Sequence, residues 1–340
     1  MSPNRPQAED GSLPGDAKQA HQRLASSVPD DMTGLRLDQA LSRLFPEFSR
    51  ARLQTWIAND LVKVDGAQRR QRDRVRGGEH IEVDVVLEVD VRVTAEDIPL
   101  AIVYEDEALL VVDKPIGLVV HPGAGNRQGT MLNGLLHHAP ELATVPRAGI
   151  IHRIDKDTSG LLVVAKTLQA HTALTDQLQQ RLFQRVYQTV VWGVLIAGGH
   201  VDAPIGRHPQ QRTRMAVTHG GREAITHYRV LERFRGHSLL TVRLETGRTH
   251  QIRVHMAHIN HPIVGDPVYG GRLRIPKGAT APLREMLAGF RRQALHAAEL
   301  GLTHPLSGQE MSWQSPLPDD MQSLLACLRE DQESPPRRQP

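Results

Sequence analysis

Gly149-Ile150-Ile151-His152-Arg153-Ile154-Asp155-Lys156-Asp157-Thr158-Ser159-Gly160 runs directly into Leu161-Leu162-Val163-Val164-Ala165-Lys166. The second half is a short aliphatic run bounded by turn formers, and it reads as a buried strand. Asp155 therefore stands one turn away from a core strand, flanked by His152, Arg153 and Lys156 as cations available to a carboxylate. Read alone, Asp155, Asp157, Thr158, Ser159 and Gly160 are equally the ordinary residues of a turn between two strands. What separates a turn from a site is whether other segments bring partners to Asp155.

Upstream, Ala108 to Pro115 reads as a second buried strand ending at a proline, and Gly117-Leu118-Val119-Val120-His121-Pro122-Gly123 follows it. Downstream, Thr167 starts a helix in which Leu174, Leu178 and Leu182 recur every four residues. After Gln184-Arg185-Val186-Tyr187, strands are predicted near 188–196, 224–233 and 238–245. Thr246-Gly247-Arg248-Thr249-His250-Gln251-Ile252-Arg253 passes from a glycine turn into a helix on which Arg248, Gln251 and His255 share a face. Arg291 to Ala297 leads into a further strand and His304-Pro305. Mixed strands and helices of this kind predict an α+β domain with a largely antiparallel sheet.

The N-terminal third has a different pattern. Residues 1–31 are polar and poor in large apolar groups, and read as a disordered lead. Leu37, Ala40, Leu41 and Leu44 fall at helical spacing, with Pro46 ending that helix. Ser49 suits the N-cap of a second helix carrying Leu53, Trp56 and Ile57, with Arg50 and Arg52 near its start. Leu61 to Gly66, including Lys63, reads as a strand and tight turn, and 80–85 as another strand. The acidic stretch 86–97 reads as a linker, and 330–340 as a disordered tail.

Composition narrows the function. A chain of 340 residues, 39% hydrophobic, has room for two domains. No apolar run approaches the ~20 residues that span a bilayer, and the start lacks an apolar signal core, so a soluble cytoplasmic protein with no membrane partner is expected. Cys327 is the single cysteine, which excludes a disulfide framework and any cysteine-based zinc site. The net charge of +3 is mild, yet 205–255 holds ten Arg, no Lys and three acids, and 50–76 holds eight basic and three acidic residues. Arginine-rich segments favour planar, bidentate contact with phosphates, and so nucleic acid.

Several chemistries lack their motifs. The histidines include no HExxH pair, so no metal is expected, and no P-loop or dinucleotide fingerprint is present, so no cofactor is expected either. A serine hydrolase would need Gly-x-Ser-x-Gly, which Thr158-Ser159-Gly160 does not supply. A lone carboxylate with arginines and a tyrosine remains. Chemistry at a sugar's anomeric carbon needs a carboxylate, and hydrolytic glycosidases add a second one to protonate the leaving group. No second candidate stands out here, which suits a reaction in which the base leaves C1′ but stays in the pocket.

Two resemblances sharpen this. Arg36-Leu37-Asp38, Ser49-Arg50-Ala51-Arg52-Leu53-Gln54 and Val62-Lys63-Val64-Asp65-Gly66 resemble the S4 (α-L) RNA-binding module over 34–85, with Asn59-Asp60 where that module usually carries a glycine. His152-Arg153-Ile154-Asp155 with Thr158 to Leu162 resembles the catalytic motif of the RluA family of pseudouridine synthases, and Lys114-Pro115, Tyr187, Thr246 to Arg253 and Leu295-His296-Ala297 resemble its other blocks in order. That resemblance implies a catalytic domain over 98–329. It implies Asp155 as nucleophile or charge stabiliser at C1′, Arg253 as its ion-pair partner, and Tyr187 as the residue that stacks on uracil and serves proton transfer. Leu295 would close the apolar side, and His152, Arg153, Arg248 and Gln251 would contact the substrate. Arg50, Arg52 and Lys63 would bind RNA through the S4 module.

With Arg207-His208-Pro209 and His261 to Gly271, the S4 module is most similar to family members acting on large-subunit (23S) ribosomal RNA. The implied substrate is the helix 69 stem-loop, handled by a monomer without cofactor. A related synthase of another ribosomal or tRNA site, and a non-catalytic ribosome-assembly factor, are the alternatives.

Overall fold

The computed structural model describes residues 20–45, 48, 50–87, 94–123, 126, 128–211 and 213–334. Two compact units divide the chain: Met1–Leu44 with Arg50–Val93, and Phe45–Ser49 with Thr94–Pro340. Among the described residues no helix is long and apolar enough to cross a membrane.

The first unit holds β1 (Ala20–Ser27), α1 (Leu37–Leu44), α2 (Arg50–Ala58), β2 (Val62–Val64), β3 (Ala67–Gln68) and β4 (His80–Leu87), in sheet order β1-β4-β2-β3. Leu37, Ala40 and Leu41 of α1, and Leu53, Trp56 and Ile57 of α2, are buried, as the helical spacing requires. Pro46 and Ser49, read as stop and start signals, lie outside the described residues. Asp60 follows α2 with φ 59°, and aspartate tolerates this left-handed conformation, so the glycine usual there is dispensable. Asp65 (φ 50°) and Gly66 (φ 77°) form the two-residue hairpin turn between β2 and β3.

The disorder expected for 1–31 does not extend over residues 20–31. Ala20–Ser27 forms β1 and pairs antiparallel with β4 along its whole length, and Asp30–Met32 forms a 3-10 turn. Backbone groups of β1 satisfy the edge of β4, a gain that side-chain composition does not register. Residues 1–19 lie outside the described residues.

Asp38, fully buried on α1, accepts hydrogen bonds from Arg36 Nε (3.0 Å), Arg50 Nη2 (2.9 Å) and Gln54 Nε2 (2.9 Å). Burial raises its pKa, but the bonds from Gln54, Arg50 and Arg36 outweigh burial and hold the carboxyl below its ordinary 3.8. A carboxylate depressed on folding stabilises the fold above the unfolded pKa and loses that contribution as the pH falls through the folded value. Asp38→Asn is therefore expected to lower the melting temperature of this unit at pH 7, with the deficit shrinking progressively below pH 3.8. Circular-dichroism melts across that range test it, and a deficit that stays constant into acid contradicts the assignment.

The second unit holds β5 (Ala101–Glu105), β6 (Leu109–Lys114), α3 (Met131–His138), β7 (Ser159–Ala165), α4 (Leu168–Gln179), β8 (Gln184–Trp192), β9 (Gly199–Asp202) and β10 (Ile205–Arg207). It continues with β11 (Met215–Val217), β12 (Ile225–Arg233), β13 (His237–Leu244), α5 (Gln251–His258), α6 (Ala281–Gly289), β14 (Leu295–Thr303), β15 (Glu310–Gln314) and α7 (Asp319–Glu333). Among the described residues, one nine-stranded sheet runs β5-β6-β7-β14-β8-β13-β12-β9, with β15 beside β14. Every pairing in it is antiparallel except β7 with β14, so the α+β, largely antiparallel expectation holds. All seven residues of β7 are buried at the middle of this sheet.

Gly160 shows why the Asp155 loop ends where it does. Its φ is 109°, and a Cβ there would strike the carbonyl of Ala297 on β14. Only glycine lets the parallel strand approach so closely.

Besides β8, which spans Gln184–Trp192 where 188–196 was expected and so takes Tyr187 into the sheet, three boundaries differ from expectation. The first is the linker: β4 extends to Leu87, and Thr94 to Asp97 are already tied into the second unit, with Asn133 Nδ2 donating to Thr94 O (2.8 Å) and Glu96 N–H to Asn133 O (3.1 Å). The second is the helix after Thr167, which stops at Gln179 because Arg181 turns left-handed (φ 62°), leaving Leu182 56% exposed instead of on an apolar stripe. The third is the C-terminus. α7 runs through Glu333, and its buried Asp331 accepts hydrogen bonds from Arg235 Nε (3.0 Å) and Thr280 N–H (2.7 Å), anchoring a segment whose charge suggested disorder. Residues 335–340 lie outside the described residues.

Candidate active site

The loop carrying Asp155 is fixed by buried neighbours. Thr158 N–H donates to Asp155 O (3.1 Å), Gly117 N–H to Lys156 O (3.0 Å), and Gln293 Nε2 to Thr158 Oγ1 (3.0 Å). Lys114 at the end of β6 is fully buried, and its Nζ donates to the carbonyls of Pro115 (2.7 Å) and Lys156 (2.9 Å). Burial pushes this lysine down to about 8, against the pull of Asp157 and Asp155. The Lys-Pro block thus clamps the turn that presents Asp155.

Asp155 Oδ2 accepts a hydrogen bond from Arg253 Nη1 at 2.8 Å. The pairing expected between these residues, 98 positions apart, is therefore present. Arg253 in turn forms a bidentate pair with Asp266, Nε to Oδ2 at 2.7 Å and Nη2 to Oδ1 at 2.9 Å. Asp266 Oδ1 also accepts the N–H groups of Val268 (2.8 Å) and Tyr269 (2.9 Å). Burial disfavours both charges, yet their mutual bonds prevail: Arg253 is held protonated well above its ordinary range and Asp266 ionised below its own. The guanidinium also lies 5.1 Å from the ring centroid of Tyr269, within cation–π range. Side-chain exposure grades from 0% at Asp266 through 5% at Arg253 to 19% at Asp155, so only the last carboxylate is offered outward.

Sequence reasoning found no second carboxylate, and Asp266 is one. It does not supply the missing acid of a hydrolase, because its oxygens are committed to a guanidinium and two amides and it stays ionised. His250 was also missed. It is left-handed (φ 58°), with Nε2 3.8 Å from Asp155 Oδ1 and Nδ1 2.9 Å from Tyr269 Oη. Tyr269 Oη also accepts Met215 N–H (3.0 Å), so His250 is braced on the Tyr269 hydroxyl while its other ring nitrogen faces Asp155.

Asp155, His250 and Arg253 border a cavity of ≈ 710 Å³. All eight residues expected at the site in this unit line it: His152, Arg153, Asp155, Tyr187, Arg248, Gln251, Arg253 and Leu295. Their availability differs. Tyr187 and Leu295 are buried walls, and burial pushes the Tyr187 phenol above its ordinary range. Arg153 is exposed beside Asp155.

Two of the eight are occupied internally. Gln251 is buried with Oε1 accepting Thr246 Oγ1–H (2.8 Å) and Arg248 N–H (2.9 Å), and Nε2 donating to Ile225 O and Thr226 Oγ1 (both 3.0 Å). This saturated amide fastens the start of α5 and has no capacity left for substrate. His152 Nε2 accepts Val163 N–H at 3.1 Å, and burial followed by the charge of Arg185 takes its pKa down to about 3. It is a neutral support of β7. Arg248 Nε donates to Glu223 O at 2.9 Å, which steers its guanidinium along the rim.

In the first unit, Arg50 remains 54% exposed although its guanidinium is anchored on Asp38, and Lys63 projects outward from β2. The side chain of Arg52 lies outside the described residues. Among the described residues no group of three or more His, Cys, Asp or Glu side chains could hold a metal ion.

Comparison with known proteins places the chain in a family. Residues 108–258 match the family model described as RNA pseudouridylate synthase, and 35–81 match the S4 domain. Ribosomal large subunit pseudouridine synthase D of Xanthomonas campestris pv. campestris is 58% identical over 89% of this chain and 92% of the relative. The protein of the same name from Pseudomonas aeruginosa is 57% identical over 91% of this chain and 97% of its own. The human protein RNA Pseudouridylate Synthase Domain Containing 4 superposes with a TM-score of 0.54 at 26% identity, covering 67% of this chain and 93% of that one. Identity of this extent, on a chain whose Asp155, Arg253, Tyr187 and Leu295 meet at one cavity, leaves a single conclusion: the chain belongs to the RluA family of pseudouridine synthases, an isomerase carrying an N-terminal S4 domain.

Proposed function

We propose that this pseudouridine synthase isomerises specific uridines of large-subunit (23S) ribosomal RNA, in the helix 69 stem-loop, with Asp155 acting at C1′. The observation that carries the site is the graded line Asp266–Arg253–Asp155, which offers one oriented carboxylate to a cavity walled by Tyr187 and Leu295. The names of the relatives support large-subunit ribosomal RNA as the substrate, the resemblance of the sequence blocks supports helix 69 within it, and the S4 match supports RNA binding.

In this reading a uridine flips out of its stack, which costs a few kcal/mol and least in a loop. Its base lies on Tyr187, its C1′ faces Asp155, and Leu295 excludes water that would divert the reaction to hydrolysis. Arg153 fills the space left in the RNA or holds a phosphate, and Arg248 contacts the strand at the rim. Arg253 is a positioning residue, since its guanidinium is sequestered between two carboxylates. His250 steadies the second oxygen of Asp155. Arg50, Arg52 and Lys63 supply phosphate contacts from the S4 domain.

Mapping pseudouridine across ribosomal RNA and tRNA in a deletion strain tests the substrate. Loss confined to helix 69 of 23S RNA, restored by the wild-type gene, is expected. Loss at another ribosomal or tRNA site would reassign the substrate, and an unchanged map would leave an assembly factor as the better reading.

A further inference from the structure

Arg185 is a buried cation for which the mechanism above has no use. It lies on β8 two residues before Tyr187, so both side chains leave the same face of the strand, and both line the cavity of Asp155. It is 6% exposed. Among the described residues no carboxylate pairs with it. Nη2 makes one long bond to the carbonyl of Glu245 (3.3 Å), and Nε is buried with no partner at all. The Glu245 carboxylate itself is turned away to His227 (2.6 Å) and Arg181 (3.1 Å).

A guanidinium removed from water without a counter-ion is costly, and proteins rarely retain one without an incoming anion. The surroundings keep room for it. A Cβ on Gly247 would lie 2.8 Å from Arg185 Nη1, so the guanidinium packs directly against the glycine of the Thr246-Gly247-Arg248 turn. The titratable groups that feel its charge are neutral: the Tyr187 phenol, and His152, whose protonation Arg185 opposes.

The isomerisation generates an anion in this cavity. The N1–C1′ bond breaks with its electron pair leaving on the base, as a uracil anion with charge shared among N1, O2 and O4, while C1′ remains with the Asp155 carboxylate. The base then turns, C5 forms the new bond to C1′, and the C5 proton is lost to solvent, so the balance is redox-neutral. Asp155 serves only the sugar side of that cleavage. Arg253 is held between two carboxylates that compensate its charge, so it is committed to positioning Asp155 and not to the base.

We infer that Arg185 is a further catalytic residue, whose guanidinium, buried without a counter-ion, binds the carbonyl oxygens of the departing uracil and holds the anion in the cavity while it turns. The inference rests on the cavity of Asp155 being the active site. A backbone phosphate is the other source of anionic oxygen, and the test separates the two.

Arg185→Lys and Arg185→Met would be assayed with the full-length enzyme under single turnover, on ribosomal RNA fragments and on the same fragments carrying 5-fluorouridine. The electron-withdrawing fluorine makes the base a better leaving group. For uridine a loss of about 100-fold in rate with unchanged RNA affinity is expected, the scale of removing one oxyanion donor. With 5-fluorouridine, where glycosidic cleavage is followed, the Arg185→Met deficit is expected to shrink about tenfold.

Weakened RNA affinity with a salt slope flattened by about one unit and an unchanged rate would instead assign a phosphate contact and overturn the inference. An equal deficit on both substrates, or no deficit, would overturn it as well, including where Arg185→Met is misfolded and only Arg185→Lys can be read. Wild-type and Asp155→Asn controls isolate the underlying assignment: if wild type is inactive on the fragment, or Asp155→Asn is active, the site reading fails and not the role of Arg185 alone.

Discussion

Asp155→Asn is expected to reduce tritium release from C5 of uridine on the order of 10⁴-fold, with folding and RNA affinity preserved. The substitution is nearly isosteric, and the Asn carbonyl can still accept the bond that Arg253 Nη1 makes at 2.8 Å. Arg253 stays in place because Asp266 grips it from the other side with two bonds. What disappears is the negative charge, and with it both ways a carboxylate can serve C1′: attack on that carbon or stabilisation of positive charge there. Turnover within tenfold of wild type, on protein checked for an unchanged melting profile, would sink the assignment.

Asp266→Ala should damage both fold and activity. It leaves the Arg253 guanidinium buried with a single partner and strips the acceptor from the amides of Val268 and Tyr269. Breaking a buried pair by deleting one member costs about 3–5 kcal/mol. Urea denaturation followed through this unit should register that loss. A freed Arg253 no longer orients Asp155, so a fall of about 100-fold in turnover is expected with RNA binding largely kept.

Arg253→Lys separates orientation from charge. Lysine keeps the cation but cannot bridge two carboxylates through three nitrogens, so turnover should fall while affinity holds. Equal loss of affinity would place Arg253 on the RNA instead.

Much of this was legible in the sequence. The buried strand after Gly160, the helices of the S4 domain and the Asp65-Gly66 hairpin follow from local pattern, because spacing and turn chemistry act over a few residues. The blocks around His152 to Asp155 and Thr246 to Arg253 marked the site segments, and all eight expected residues of the catalytic unit do line one cavity. Pattern also misled in identifiable ways. Ala20–Ser27 has little to bury and folds through backbone pairing with β4. Leu182 keeps helical spacing after the helix has stopped. Gln251 occupies a motif beside the site yet spends all its hydrogen bonds inside the protein.

The chain by itself determined which residue types stand near Asp155, and the class of chemistry they allow: a single carboxylate, arginines, a tyrosine, and no motif for a metal or nucleotide. Tertiary structure decided how those residues divide the work. Asp266 is an unremarkable acid between Gly265 and Pro267 until α5 delivers Arg253 to it, and Arg185 is an ordinary strand arginine until folding buries it beside Tyr187 without a counter-charge. The physical reason is that the cost of a buried charge depends on partners and solvent gathered from distant parts of the chain, and neither is encoded in the spacing around the residue itself.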